Sequence, residues 1–168
     1  MKHTNDEPGG GRPRPLEVPD PLRIDEAEIH QALAQTTRSG GQTGRAARAL
    51  SKLLLRHLAW EQEDVLQPLG ALWPVVHHEP LPDEAGLLAK LDRLKANVPR
   101  LVRQHDAIVK AIQRLQARAR AEGKLEAVGF THRLLLRAWM DDVVFFPAVL
   151  LLGECLRLRA QHTSRRPT

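Results

Sequence analysis

Histidines and carboxylates recur in this chain at helical spacing, and they fall in line with leucines rather than with the surface charge. His57 and Glu61 stand four residues apart in RHLAWEQEDVLQP. Four residues of α-helix turn through about 400°, so the two side chains lie roughly 40° apart and about 6 Å along the axis. An imidazole and a carboxylate are thereby aimed into one space. Both continue the apolar stripe that carries Leu50 and Leu54. His105 falls between Leu101 and Ile108, and Asp141 between Leu134 or Ala138 and Phe145. His30 lies beside Ala27 and Ala34, near the face marked by Ile29 and Leu33. Each of four predicted helices is therefore expected to send a polar group inward. A buried carboxylate must be protonated or find a cation. Imidazole and carboxylate without thiolate suit iron, manganese or zinc. His30, His57, Glu61, His105 and Asp141 are the expected metal ligands. The competing reading is local: each histidine packs as a hydrogen-bonded core residue, Glu61 pairs with an arginine such as Arg56, and Glu61 to Asp64 is a solvated face.

The elements that must position these residues are helices. Apolar residues recur at i, i+3, i+4 and i+7 over four stretches, and no stretch reads as a strand. The first runs from about Ile24 to Arg38, with Asp25 and Glu26 suiting the positive end of its dipole, and stops at Ser39-Gly40-Gly41. The second runs from about Thr43 to Gln67, bounded by Pro68. The third begins with Asp83 as cap and closes at Gly123, with Pro99 expected to kink or split it. The fourth runs from about Lys124 to Phe146, where Pro147 bends it into an apolar tail ending near Leu158. Helices of this length joined mostly by short loops imply an all-α, up-down four-helix bundle. Residues 1–21 hold five of the twelve prolines and a triple glycine, and read as a disordered arm. The bundle is expected over 22–158, and a basic disordered tail over 159–168.

On these residues the chain resembles the hemerythrin-like, cation-binding family, over roughly Ile24 to Leu152. That family looks like a duplicated helix pair: an inward histidine, then H-x-x-x-E, an apolar pair and a proline. The first half here reads DEAEIH and RHLAWEQEDVLQP; the second reads RQHDAIVKAI and LLLRAWMDDVVFFP. The resemblance implies a non-heme di-iron centre, with His30 and His57 on one iron, His105 on the other, and Glu61 and Asp141 bridging. It also implies binding or sensing of a small ligand such as dioxygen or nitric oxide, or iron handling, in place of turnover. The second half departs from the pattern. The position of its first histidine is held by Arg137, or by Ala138 if LLLR is matched to LLLR, and His132 falls on the opposite face. One metal is then expected at most in full. Alternatively the metal is gone, and the Arg137 guanidinium supplies the positive charge in a metal-free helical interaction module.

Composition bounds the remaining classes. The 168 residues suit one domain with a real core. The single cysteine, Cys155, excludes an intramolecular disulfide framework and reads as a small packed hydrophobe. No run of about 18 apolar residues occurs, and the first residues lack an apolar signal region, so a cytoplasmic protein without membrane association is expected. The net charge is +5, but its 19 arginines and 6 lysines are spread along the chain, with no tyrosine to stack on bases, so nucleic acid is not an expected partner. His77 and His78 read as a solvated loop pair, and Trp60 and Trp139 as dry walls beside the site or as bundle packing. No nucleotide-binding, serine-hydrolase or zincin motif is present.

Overall fold

The computed structural model describes residues 16–164, with side chains described through residue 162. Among these there is no strand. The elements are α1 (Asp20–Arg38), α2 (Gly41–Glu61), α3 (Gln67–Leu69), α4 (Leu72–Val76), α5 (Glu84–Ala121), α6 (Leu125–Met140) and α7 (Phe146–Ser164). A π-helical turn, Gln62–Leu66, joins α2 to α3, and another, Asp141–Phe145, joins α6 to α7. Four helical spans thus form the bundle. Each packs on its neighbour in sequence, and α1 meets α6 to close the ring.

The start of α5 is as expected: the Asp83 carboxylate accepts from the Gly86 N–H at 2.8 Å. Its end is a full Schellman motif, with the N–H groups of Gly123 and Lys124 donating to the carbonyls of Arg120 and Ala119. Gly123 has φ +65°, a conformation that favours glycine. Pro99 neither splits nor ends α5. Pro99 and Lys95, whose carbonyl it leaves without an intrahelical donor, both lie on the exposed side. Asp83→Ala is expected to cost about 1 kcal/mol in denaturant unfolding, the usual worth of an N-cap; an unchanged midpoint would show that the first turn of α5 needs no cap.

The sequence has no side-chain cap for α2. Glu122 supplies one from the far side of the α5–α6 turn, accepting from the N–H groups of Gln42 (2.6 Å) and Thr43 (3.1 Å). The nearby Thr43 hydroxyl, then the Gln42 N–H, the Lys124 ammonium and the Thr43 N–H, hold its carboxyl down to about 2. Lys124 completes the clasp by donating to the carbonyls of Ser39 and Gly40.

Both π turns end two residues before a proline. Pro68 and Pro147 carry no N–H, and their rings would crowd the carbonyls of Asp64 and Val143 in a regular helix. The N–H groups of Gln67 and Phe146 instead reach back five residues, to Gln62 and Asp141. The chain therefore continues past Pro68 to Leu69, and past Pro147 through Ser164. The last finding corrects the tail expected from residue 159. At the other end Asp20 opens α1, four residues before the expected start, while the rest of the expected arm, 1–15, lies outside the described residues.

The core has two apolar halves. Ile29, Leu50, Leu54, Ile112, Leu115 and Phe130 belong to one; Val65, Leu66, Leu91, Leu101, Val149 and Leu156 belong to the other. Along every long helix, the residues between these halves are the polar ones.

A candidate polar centre closed by Arg137

The layer between the two halves holds His57 and Glu61 at the end of α2, His105 in α5, and Arg137 and Asp141 at the α6 π junction. All five are buried, and Glu61 is entirely so. The four-residue offsets of His57 to Glu61 and Arg137 to Asp141 put each pair on one helix face, as helical geometry requires.

Arg137 is the hub. Its Nε donates to Asp141 Oδ1 at 2.8 Å, Nη2 to Glu61 Oε1 at 2.6 Å, and Nη1 to Asp25 Oδ2 at 2.7 Å. The guanidinium carbon also lies 5.2 Å from the centre of the Phe145 ring. Three edges of one planar cation are therefore spent on carboxylates from three helical spans. Burial opposes the charge on Arg137, but Glu61 and Asp141 more than offset that and raise its pKa further. Glu61 moves the other way to the usual buried ion-pair acid. Burial, then the neighbouring Asp141 carboxylate, push it well above the ordinary carboxyl range, against the pull of Arg137. One cation faces three acids.

The histidines sit on the other side of the carboxylates. His57 Nε2 and His105 Nε2 are 3.0 Å apart, so one donates to the other. Glu61 Oε2 is 3.8 Å from His57 Nε2, and Asp141 Oδ2 is 3.9 Å from His105 Nε2. His105 Nδ1 lies 2.9 Å from Asp142 Oδ1, close enough for ionic attraction but off the line of a hydrogen bond. Burial first, then His105 and Arg137, hold the His57 pKa down to about 4, so this ring is neutral at pH 7. Trp60 packs on His57 and Phe146 on His105. Trp139 is exposed and takes no part. A cavity of about 20 Å³ remains among these groups, room for one water-sized species.

Four of the five expected ligands thus converge, and His30 does not. The inward arc of α1 carries Ile29, Leu33 and Thr36, with Glu26 buried at its edge. His30 lies about 40° beyond Glu26 and is exposed. The α1 residue that reaches the centre is Asp25, which the sequence offers only as a helix-dipole acid. Asp25 shows no signal of its own, because its role depends on a partner 112 positions away. His132 is exposed beside Arg120, and His77 lies in the α4 loop against Trp73. Cys155 is exposed, not packed.

A di-iron centre does not fit these residues. Its second imidazole position is held by Arg137, the first-helix imidazole is outside, and the guanidinium already bonds Glu61 Oε1 and Asp141 Oδ1. A dication shared by those carboxylates would stand roughly 5 Å from a fixed positive charge, a repulsion of about 7 kcal/mol at an effective dielectric near 20. Among the described residues, no group of three or more His, Cys, Asp or Glu is arranged to hold a metal ion, and no helix is long and apolar enough to cross a membrane. Comparison with known proteins returns no match: no family model, no curated protein and no solved structure is similar to this chain.

Proposed function

We propose that this protein is a hemerythrin-like four-helix bundle in which the Arg137 guanidinium stands in the place of a bound cation, and that it serves as a metal-free helical interaction module. The observation that carries the reading is the three-way ion pairing of Arg137 with Asp25, Glu61 and Asp141. A second support is the repetition of one local plan. In each half a buried carboxylate stands at a π turn that closes two residues before a proline, which suits a duplicated helix pair. With a cation built into the chain, the centre has no need of iron, and the product of the fold is a rigid helical surface.

A single-ion reading has one observation in its favour: Glu61 Oε2 and Asp141 Oδ2 turn towards the His57–His105 pair. An iron ion there would supply an open position for dioxygen or nitric oxide. The two readings part on metal content. Protein produced in iron-supplemented medium is expected to carry less than about 0.3 metal per chain. Arg137→His, which removes the fixed charge and returns an imidazole, is expected to raise iron loading several-fold. About one iron per chain in the unaltered protein would overturn the proposal.

A further inference from the structure

One long face of the bundle is lined with cations that have no ion-pair partner among the described residues. Where α2 and α5 run side by side, two adjoining hollows of about 300 and 350 Å³ share Leu53 as a common wall. Arg45, Lys52 and Arg56 edge them from α2, and Arg100, Arg114 and Arg118 from α5; no carboxylate lines either. Several cations elsewhere on the bundle are paired: Lys95 with Glu154, Arg133 with Glu28, Arg157 with Asp92 and Glu154. Lys52, Arg56, Arg100 and Arg118 make no ion pair among the described residues. Like charges held along one groove repel each other and leave a field that favours an anionic partner.

The floor is of the opposite character. It is built from Ala46, Ala49, Leu53, Ala107, Ile108 and Ala111. The alanines keep it low, and Leu53 is 44% exposed on it. From Arg45 to Trp60 the groove follows 15 residues of helix, about 22 Å. An apolar floor between two basic rims, straight and of this length, is the complement of one amphipathic helix whose apolar stripe is flanked on both sides by Asp or Glu. A phosphate backbone would use the rims and leave the floor in water.

We infer that the α2–α5 groove is a docking site for an acidic amphipathic helix of a partner protein. The inference rests on the interaction-module reading and supplies its partner class. It is tested by fluorescence anisotropy with a labelled synthetic helix of about 18 residues, its Leu/Ala stripe flanked by Glu, against a peptide of the same composition in scrambled order. Saturable binding in the micromolar range is expected, weakening with salt, and absent for the scrambled peptide. The double variant R56E/R100E is expected to bind about tenfold or more weakly. R38E/R120E makes the same charge change outside the groove, at the end of α1 and on the far face of α5, and should bind within about twofold of the unaltered protein. Equal binding of the scrambled peptide, an equal loss in R38E/R120E, tighter binding of a single-stranded RNA of equal charge, or no saturation by about 100 µM would each overturn the inference. Metal content is measured on the same preparation. Stoichiometric iron in protein that still binds through the groove removes the Arg137 reading and leaves the docking site standing. Metal-free protein that fails to bind does the reverse.

Discussion

Arg137→Ala is expected to destabilise the protein by about 3–5 kcal/mol in denaturant unfolding, because it leaves buried carboxylates without their cation. Glu61 and Asp141, both buried, lose donors at 2.6 and 2.8 Å. Glu61 can escape part of the penalty by protonation, a route its raised pKa already opens. Asp141 then stands against His105 alone. If the loss comes from stranded charge and not from lost packing, removing the acids as well must repair it. The triple variant Arg137→Leu, Glu61→Leu, Asp141→Leu is expected to recover to within about 2 kcal/mol of the unaltered protein, since buried ion clusters can be replaced by apolar groups at little net cost. Equal damage in the single and triple variants would mean that shape, not charge, decides the site. A centre built around a bound metal would predict the opposite order, with Arg137→Ala nearly silent and loss of Glu61 severe.

Acid is expected to weaken the fold by roughly 3 kcal/mol between pH 7 and pH 4 through His57 alone. The sign follows from the direction of the shift. Folding holds the ring neutral, with a pKa of about 4 against the ordinary 6.5. Below pH 6.5 the unfolded chain gains a proton that the folded chain refuses, so the stability is complete above 6.5 and disappears as the pH falls towards 4. His57→Gln keeps a polar contact with His105 and abolishes the titration. Its urea midpoints should be much flatter over this range. An unchanged slope would place the acid sensitivity elsewhere. Glu61 acts on the other limb. Its raised pKa favours the folded state while it is protonated, so that contribution is lost as the pH rises through the elevated value, and Glu61→Gln should flatten the profile there.

Much of this architecture can be read from leucine spacing. The residues of the stripes through Leu50, Leu54, Leu91, Leu101, Ile112 and Leu134 are buried, and where His57, Glu61, His105 and Asp141 interrupt those stripes the polar layer forms. Arg137 is legible for the same reason, as a charged residue on an otherwise apolar face. The first helix is not. His30 stands beside Ala27 and Ala34, whose direction lies about 130° from that of Ile29 and Leu33, and tertiary packing chooses the Ile29–Leu33 side, which turns His30 out and admits Asp25 and Glu26. The π turns are hidden because each adds one residue to an otherwise constant helical period, and the prolines that cause them resemble terminators. The Glu122 cap cannot be seen at all from local sequence, since it spans 79 residues to Thr43.

The most direct measurement is of the Arg137 side chain itself, by the ¹H–¹⁵N resonance of its Nε–H, assigned through its loss in Arg137→Lys. A guanidinium locked between Asp25, Glu61 and Asp141 predicts a sharp, slowly exchanging signal that stays in place when ferrous iron or zinc is added in excess. A signal that shifts, broadens or vanishes as one equivalent of metal binds would show that the centre belongs to a metal and that Arg137 only waits beside it.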